Sequence, residues 1–430
     1  MEKVYQYLWK YRMLGETDFT LVDGRSVEII DPGQHNSDSG PDFFNGKIRI
    51  DGKVWAGNIE IHVRASDWYR HGHQNDEAYS SVILHVVASD DARIGRSDGS
   101  EVPQLVIVIS LPDGFMTLYE SLSSPGADIR CRNYIQYLPS LIISDWLESL
   151  GMMRLEAKAA RITDVLDSTG GDWEQACFVI LARTLGFGLN NDPFEMLARS
   201  IPLKLLHRHS DSLFQIEAIL FGQAGLLDSS AHIFDEYYQG LCHEYVFLAR
   251  KYGLRPLRLN WKFARTRPHN LPHRRIAMLA RSCLGGFSLF RRILEAPPYE
   301  DELLTLFDWR IEGYWHDHFS FDVPATFAPC TLSRASREII LINLVAPLIY
   351  AYALRRGDYD TEEKAKALLN ELRPEQNAII RTWKALGLHA DCAMRSQALL
   401  HLKKEYCDAH KCLYCRFGHR FVQGAVIDAF

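Results

Sequence analysis

The chain reads as an α+β protein: an N-terminal mixed β-sheet domain, then a large all-helical domain, then a short cysteine-containing tail. Three observations predict this. Branched residues alternate with polar ones only before about Ile109. Beyond Leu138 the apolar spacing becomes helical. The last 25 residues contain three closely spaced cysteines, Cys407, Cys412 and Cys415. The expected boundaries are 1–115 for the sheet domain, 140–405 for the helical domain and 406–430 for the tail.

Residues 1–15 form an amphipathic pattern that predicts one helix. Strands are expected at Val27–Ile30, Lys47–Ile50, Val54–Val63, Val82–Val87 and Gln104–Ile109. Turn dipeptides separate them: Asp23-Gly24, Asp31-Pro32-Gly33, Asp51-Gly52 and Asp98-Gly99. The polar loop from Gly33 to Gly40 is of a kind that carries sites. Helices are expected over 141–166, 173–186, 191–207, 213–225, 231–252, 272–294, 299–307, 335–356, 361–371, 374–386 and 394–406, with caps at Asp172, Asp192 and Thr361. The apolar run Ile339–Leu354 is interrupted by Asn343 and Pro347 and reads as a buried helix rather than a membrane span.

The 430 residues carry 47% hydrophobic and 24% charged side chains and a net charge of −6, ordinary for a globular chain and unlike a globally basic nucleic-acid binder. Only nine cysteines, six of them scattered singly, and an N-terminus without an apolar run behind basic residues point to a reducing, cytoplasmic setting without membrane attachment. Oligomeric state is not legible at this level.

Three constellations carry chemistry. The first is Asp42, Glu60 and His62. Pro41-Asp42 precedes Glu60-Ile61-His62 across segments that alternate like paired strands. Carboxylates on adjacent strands can converge on one divalent cation, Mg²⁺ or Mn²⁺, and Glu60 and His62, two apart on a strand, face the same side. The plain alternative is that both acids are ordinary turn and strand residues. Asn36, Asp38, His71, His73 and His85 lie nearby in sequence, and imidazoles suit Zn, Mn or Fe better than Mg.

The second is basic. Between Glu244 and Glu295 no acidic residue occurs, while Arg255, Arg258, Lys262, Arg265, Arg267, Arg274 and Arg275 do, interleaved with aromatics. Such residues neutralise phosphates and stack on bases, so nucleic acid is the expected partner; a solvated helix face paired with acids elsewhere is the alternative. The third is the tail, with spacing C-x4-C-x2-C, which suits Zn²⁺ or an iron–sulfur cluster with a fourth ligand from His410, His419 or Cys392; free thiols are the alternative.

The order Pro41-Asp42 … Glu60-Ile61-His62 resembles the PD-(D/E)XK nuclease superfamily over about residues 1–110, with His62 where that family has lysine. The resemblance implies a metal-dependent nuclease in which Asp42 and Glu60 hold the cation and His62 assists. The phrases GPDF, GNIEIH, SDW, HGH, LHVV, RPHNLPHRR and SQALLHLKKEYC also resemble, over nearly the whole chain, a widespread bacterial family described only as a domain of unknown function. That likeness supplies no activity. The rival functions are a non-catalytic nucleic-acid-binding or scaffold protein, and a transition-metal enzyme using His71, His73 and His85.

Overall fold

The computed structural model describes residues 1–14, 18–36, 39–107, 115–123, 128–228, 235–264, 266, 268–325 and 329–427. The chain divides into two compact units, 1–135 with 406–430, and 136–405. The cysteine tail is therefore not a separate module; it belongs to the first unit, as does 116–135.

In the first unit, α1 (Glu2–Lys10) precedes a seven-stranded sheet. Its strands are β1 (Asp18–Thr20), β2 (Ser26–Asp31), β3 (Gln34–His35), β4 (Phe43–Ile50), β5 (Lys53–Arg64), β6 (Val82–Ser89) and β7 (Gln104–Val106), in the order β1-β2-β4-β5-β6-β7, with β3 on β4. Strands β1, β2, β4 and β5 pair antiparallel, and β5, β6 and β7 pair parallel. The antiparallel β4–β5 step needs only Asp51-Gly52, whereas the parallel step to β6 needs a crossover. That crossover carries the short helix α2 (Asp67–Arg70) and the HGH sequence.

The pleat sorts the side chains. Ile59 and Ile61 of β5, Leu84 and Val86 of β6, and Ile48 and Ile50 of β4 join Trp9 of α1 in one apolar cluster. Glu60, His62 and His85 alternate with them and are also buried, so this stretch of sheet is covered on both faces. Gly33 holds the turn before the site: its φ is +87°, and a Cβ there would lie 2.6 Å from the Phe44 carbonyl oxygen.

The helix α3 (Phe115–Ser123) belongs to the first unit. Among its described residues the second unit is helical apart from a small hairpin, His318–Ser320 with Val323–Pro324, and it opens on α4 (Ser140–Ser168) and α5 (Trp173–Leu185). Asp172 caps α5 as expected, accepting from the Gln175 amide. The other two caps differ. The helix Tyr359–Glu371 starts earlier, because Asp358 accepts from the Thr361 amide. Asp192 sits inside the helix Asn191–Arg199 and binds Arg183 instead. The expected helix 272–294 is two helices, Pro272–Cys283 and Leu289–Glu295, separated by Gly285 and Gly286 at positive φ. Pro202 similarly divides 191–207.

The stretch Arg334–Arg356 is the one described helix long and apolar enough to cross a membrane, and most of it is buried among other helices. It contains a π-helical segment at Leu341–Val345, and a second π-helical segment spans Leu402–Cys407.

Candidate metal centre

The site forms where β5 emerges from the sheet between Pro41-Asp42 and the crossover. Asp42 precedes β4, and the β4–β5 register places Phe43 opposite Ile59. That register brings Asp42 to the backbone of β5. Its Oδ2 accepts from the Ile61 amide at 3.0 Å, its Oδ1 accepts from Gln6 Nε2 of α1 at 2.8 Å, and its own amide donates to Glu60 Oε2 at 2.9 Å. Both carboxyls are pushed well above the usual range. Burial is the main cause for each, and for Asp42 the negative Glu60 adds to it. Such a pair is costly without a cation or proton beside it.

Glu60 Oε1 faces imidazoles: His73 Nε2 lies 3.3 Å away and His62 Nε2 3.5 Å away. His62, on the same face of β5 as Glu60, is almost fully buried. Its Nδ1 lies 2.8 Å from His85 Nε2, and its Nε2 lies 3.1 Å from His71 Nδ1. Behind His85, Nδ1 lies 3.3 Å from Gln104 Oε1 of β7, and Gln104 Nε2 donates to Asp90 Oδ1 and the Ala92 carbonyl. This chain of side chains fixes the rings and their tautomers. Burial, reinforced by the neighbouring imidazoles, lowers His62 to about 2, and burial lowers His85 to about 4. Burial lowers His73 as well. Neutral imidazole is the ligand form.

Among the described residues, His62, His71 and His73 are the group whose donor atoms all lie within 4.8 Å of one another. The fit of a metal here rests on a further observation. His73 Nε2 is buried and has no hydrogen-bond partner; its 3.3 Å approach to Glu60 is close enough for an ion pair but not aligned as a hydrogen bond. The His73 ring is locked against Tyr79, stacked at 3.8 Å, and against the edge of Trp68. Three nitrogens with a carboxylate oxygen beside them form a donor set for Zn, Mn or Fe. Asp42 and Glu60 give three of their four oxygens to hydrogen bonds, and the fourth, Glu60 Oε1, faces the imidazoles of His62 and His73.

A cleft of about 440 Å³ adjoins Asp42 through Gln6 and Asn36, and is lined by Lys3, Lys10, His35, Tyr119, His410 and Tyr414 among others. Lys10 lies over the Tyr414 ring at 4.2 Å.

The tail packs within the first unit through hydrogen bonds and buried side chains. Tyr7 Oη lies 2.8 Å from His419 Nδ1, Tyr11 Oη donates to the Leu413 carbonyl at 3.3 Å, and Arg130 Nη2 lies 2.6 Å from His410 Nδ1. Phe417 and Val422 are fully buried. Cys407, Cys412 and Cys415 do not appear as a three-donor group. Cys131 lies in the same unit, and burial, with Cys415 and Cys412 nearby, pushes its thiol up to about 12. No local pattern around Cys131 marks it as a neighbour of the tail.

The basic window divides. Arg255, Arg258 and Lys262 are exposed on an irregular segment, while Arg265 and Arg267 lie outside the described residues. Arg274 and Arg275 are buried, 2% and 4% exposed. Arg274 donates to the carbonyls of Trp315, His318 and Pro329, and Arg275 donates to Asn270 and lies over the Phe187 ring at 4.5 Å. Both guanidiniums are thus engaged inside the fold, where they also line a cavity of about 260 Å³ with Met278, Ser333 and Ser336.

The family model described as "Protein of unknown function (DUF2851)" matches residues 2–378, and the chain belongs to that family. No curated protein and no solved structure matches it.

Proposed function

We propose that this DUF2851 protein is a metal-dependent phosphodiesterase acting on nucleic acid, of PD-(D/E)XK-like type, with Asp42, Glu60 and His62 at its reaction centre. The observation that carries this reading is the meeting of the Asp42–Glu60 pair with His62, His71 and His73 at one end of the sheet. The order of helix, antiparallel strands and parallel crossover is the order the superfamily resemblance implies, and supports it further.

A bound divalent metal would polarise the phosphate and lower the pKa of its water. The chain's own groups have separable tasks. Glu60 Oε2 is held by the Asp42 amide, which leaves Oε1 to take a proton from an attacking water. Its raised pKa suits a base working near neutrality. Asp42 is anchored by Gln6 and Ile61 and supplies negative charge for the cation. His62, held neutral, replaces the family's lysine as a ligand or positioning group rather than as a permanent charge. Lys3 and Lys10 in the adjoining cleft offer contacts to phosphate, with Tyr119 and Tyr414 as stacking surfaces.

A second reading is favoured by the three imidazoles: a transition-metal enzyme acting on small molecules, with His62, His71 and His73 as ligands. The test is cleavage of labelled single- and double-stranded oligonucleotides with Mg²⁺, Mn²⁺ or Zn²⁺, against a chelated control. Metal-dependent cleavage lost in Asp42→Asn and Glu60→Gln is the expected result. Salt-sensitive binding with no cleavage under any metal makes the protein a binding or scaffold protein. A tightly retained metal with no nucleic-acid affinity favours the small-molecule reading.

A further inference from the structure

The helical unit contains a cleft rich in basic side chains. On α4, Arg154, Lys158 and Arg161 follow at spacings of four and three, so they share one face. That face forms one wall of a cleft of about 650 Å³. Arg183 comes from α5, and Lys404 and His401 from the C-terminal side. The lining has five cationic side chains, Arg154, Lys158, Arg161, Arg183 and Lys404, against two carboxylates, Glu375 and Glu405.

The carboxylates stay beyond ion-pair distance of the two cations at its heart, although Glu375 acts on both through space. Lys158 Nζ donates to Gln397 Oε1 at 2.5 Å and to the Ile342 carbonyl at 3.2 Å. Arg154 Nε donates to the same Gln397 oxygen at 2.6 Å. Gln397 is turned this way because its amide nitrogen donates to Glu375. Among the described residues neither Arg154 nor Lys158 has a carboxylate within ion-pair distance. Arg161 and Arg183 are partly spent on Glu195, at 3.6 and 2.8 Å. Two adjacent cations resting on one neutral amide leave a positive field in a low-dielectric cleft. Desolvation and then Arg154 lower the Lys158 ammonium to about 7, against an opposing effect of Glu375.

Both π-helical segments border this cleft. Leu341–Val345 supplies Asn343 to the lining and the Ile342 carbonyl to Lys158. Leu402–Cys407 supplies Lys404 and Glu405. Such bulges cost helix stability and recur at functional sites. The remaining wall carries Ile162, Ile180, Phe187 and Ile339, with Thr184 and Asn191 among them.

We propose that this cleft binds a small phosphorylated organic molecule of nucleotide size, its phosphate against Arg154 and Lys158 and its apolar body against Ile180 and Phe187. The volume lies within the range of small-molecule sites, and an Arg–Lys pair matches a phosphate in charge and in hydrogen-bond donors.

The experiment is calorimetric titration of the full chain, with chelator present to silence the metal centre. The probes are adenosine triphosphate, inorganic pyrophosphate and adenosine. Saturable binding of the triphosphate, competed by pyrophosphate and not by adenosine, is expected. Lys158→Met should weaken it by about tenfold or more, and the rim changes Arg161→Gln and Lys404→Glu by roughly threefold each with unchanged melting. Because the rim variants alter well-exposed side chains, they keep the proposal testable if Lys158→Met does not fold. The proposal is overturned if neither triphosphate nor pyrophosphate binds saturably at millimolar concentration. Rim variants that bind like the parent, or binding confined to phosphorylated oligonucleotides, overturn it equally.

Discussion

Asp42 and Glu60 are joined through the main chain: the Asp42 amide donates to Glu60 Oε2 at 2.9 Å, and Asp42 Oδ2 accepts from the amide of Ile61, the residue after Glu60, at 3.0 Å. The backbone thus holds two carboxylates together in a buried place where each raises the cost of the other's charge. A pair fixed in this way is arranged for a positive partner.

The first prediction is a trade of stability against activity. In chelator at neutral pH, Glu60→Gln keeps an oxygen for the Asp42 amide, removes a buried negative charge and turns an N–H₂ toward His73 Nε2. Its melting temperature should rise, by the equivalent of roughly 1 kcal/mol, while metal-dependent cleavage is lost. A variant that melts below the parent in chelator would show that the carboxylate is not a burden in the metal-free protein.

Metal retention gives the second prediction. Protein purified without chelator should hold a transition metal, most simply near one ion per chain by elemental analysis. His71 is exposed, so His71→Ala should leave the fold intact yet lower metal affinity by about tenfold or more. Absence of retained metal, with no melting response to added Zn²⁺, Mn²⁺ or Fe²⁺, rejects the imidazole centre.

Much of this centre was legible. The alternation of Lys47, Ile48, Arg49 and Ile50 set β4, the two-residue spacing of Glu60 and His62 put them on one face, and the HGH sequence fell in the crossover that brings it back to them. What could not be read depends on residues far apart in sequence. Gln104 is an unremarkable strand residue until the parallel register places it opposite His85. Arg274 and Arg275 look like phosphate contacts because their carbonyl and amide partners, at 270 and 315–329, have no charge pattern to betray them. His419, Leu413 and Phe417 of the tail find partners or burial in the first unit that no local pattern announces. The cleft between Arg154 and Lys404 is assembled from segments some 250 residues apart.

The third prediction follows from the divided basic window. Arg274→Met removes donors from three backbone carbonyls and should cost about 3 kcal/mol or more of stability, with little effect on the salt dependence of nucleic-acid binding in whatever fraction remains folded. Replacing Arg255, Arg258 and Lys262 together by Gln should do the reverse: unchanged melting, weaker binding, and a salt slope reduced by about two to three. If the triple variant binds like the parent, the exposed segment is not the nucleic-acid surface.

The fourth prediction concerns Glu217, which lies in the apolar helix Leu213–Gln223 and is 1% exposed. Its Oε2 accepts from Tyr237 Oη at 2.5 Å and Trp315 Nε1 at 2.9 Å. Those two donors lower its pKa, but desolvation outweighs them and raises it to about 7. A carboxyl raised on folding binds its proton more tightly in the native state than in the unfolded chain, whose carboxyl titrates near the ordinary 4.5. Its contribution is therefore fully present below about pH 4.5, declines as pH rises toward about 7, and is flat above that. The span is worth at most about 3 kcal/mol. Glu217→Gln retains an acceptor for Tyr237 and Trp315 and cannot ionise. Denaturant unfolding of parent and variant across pH 4 to 8 (a range of roughly four units, set to bracket both titrations) should give a stability difference that shifts in favour of the variant as pH rises, then levels off. A difference that stays constant across this range would mean that Glu217 keeps the same protonation behaviour folded and unfolded, and that Tyr237 and Trp315 offset its burial in full.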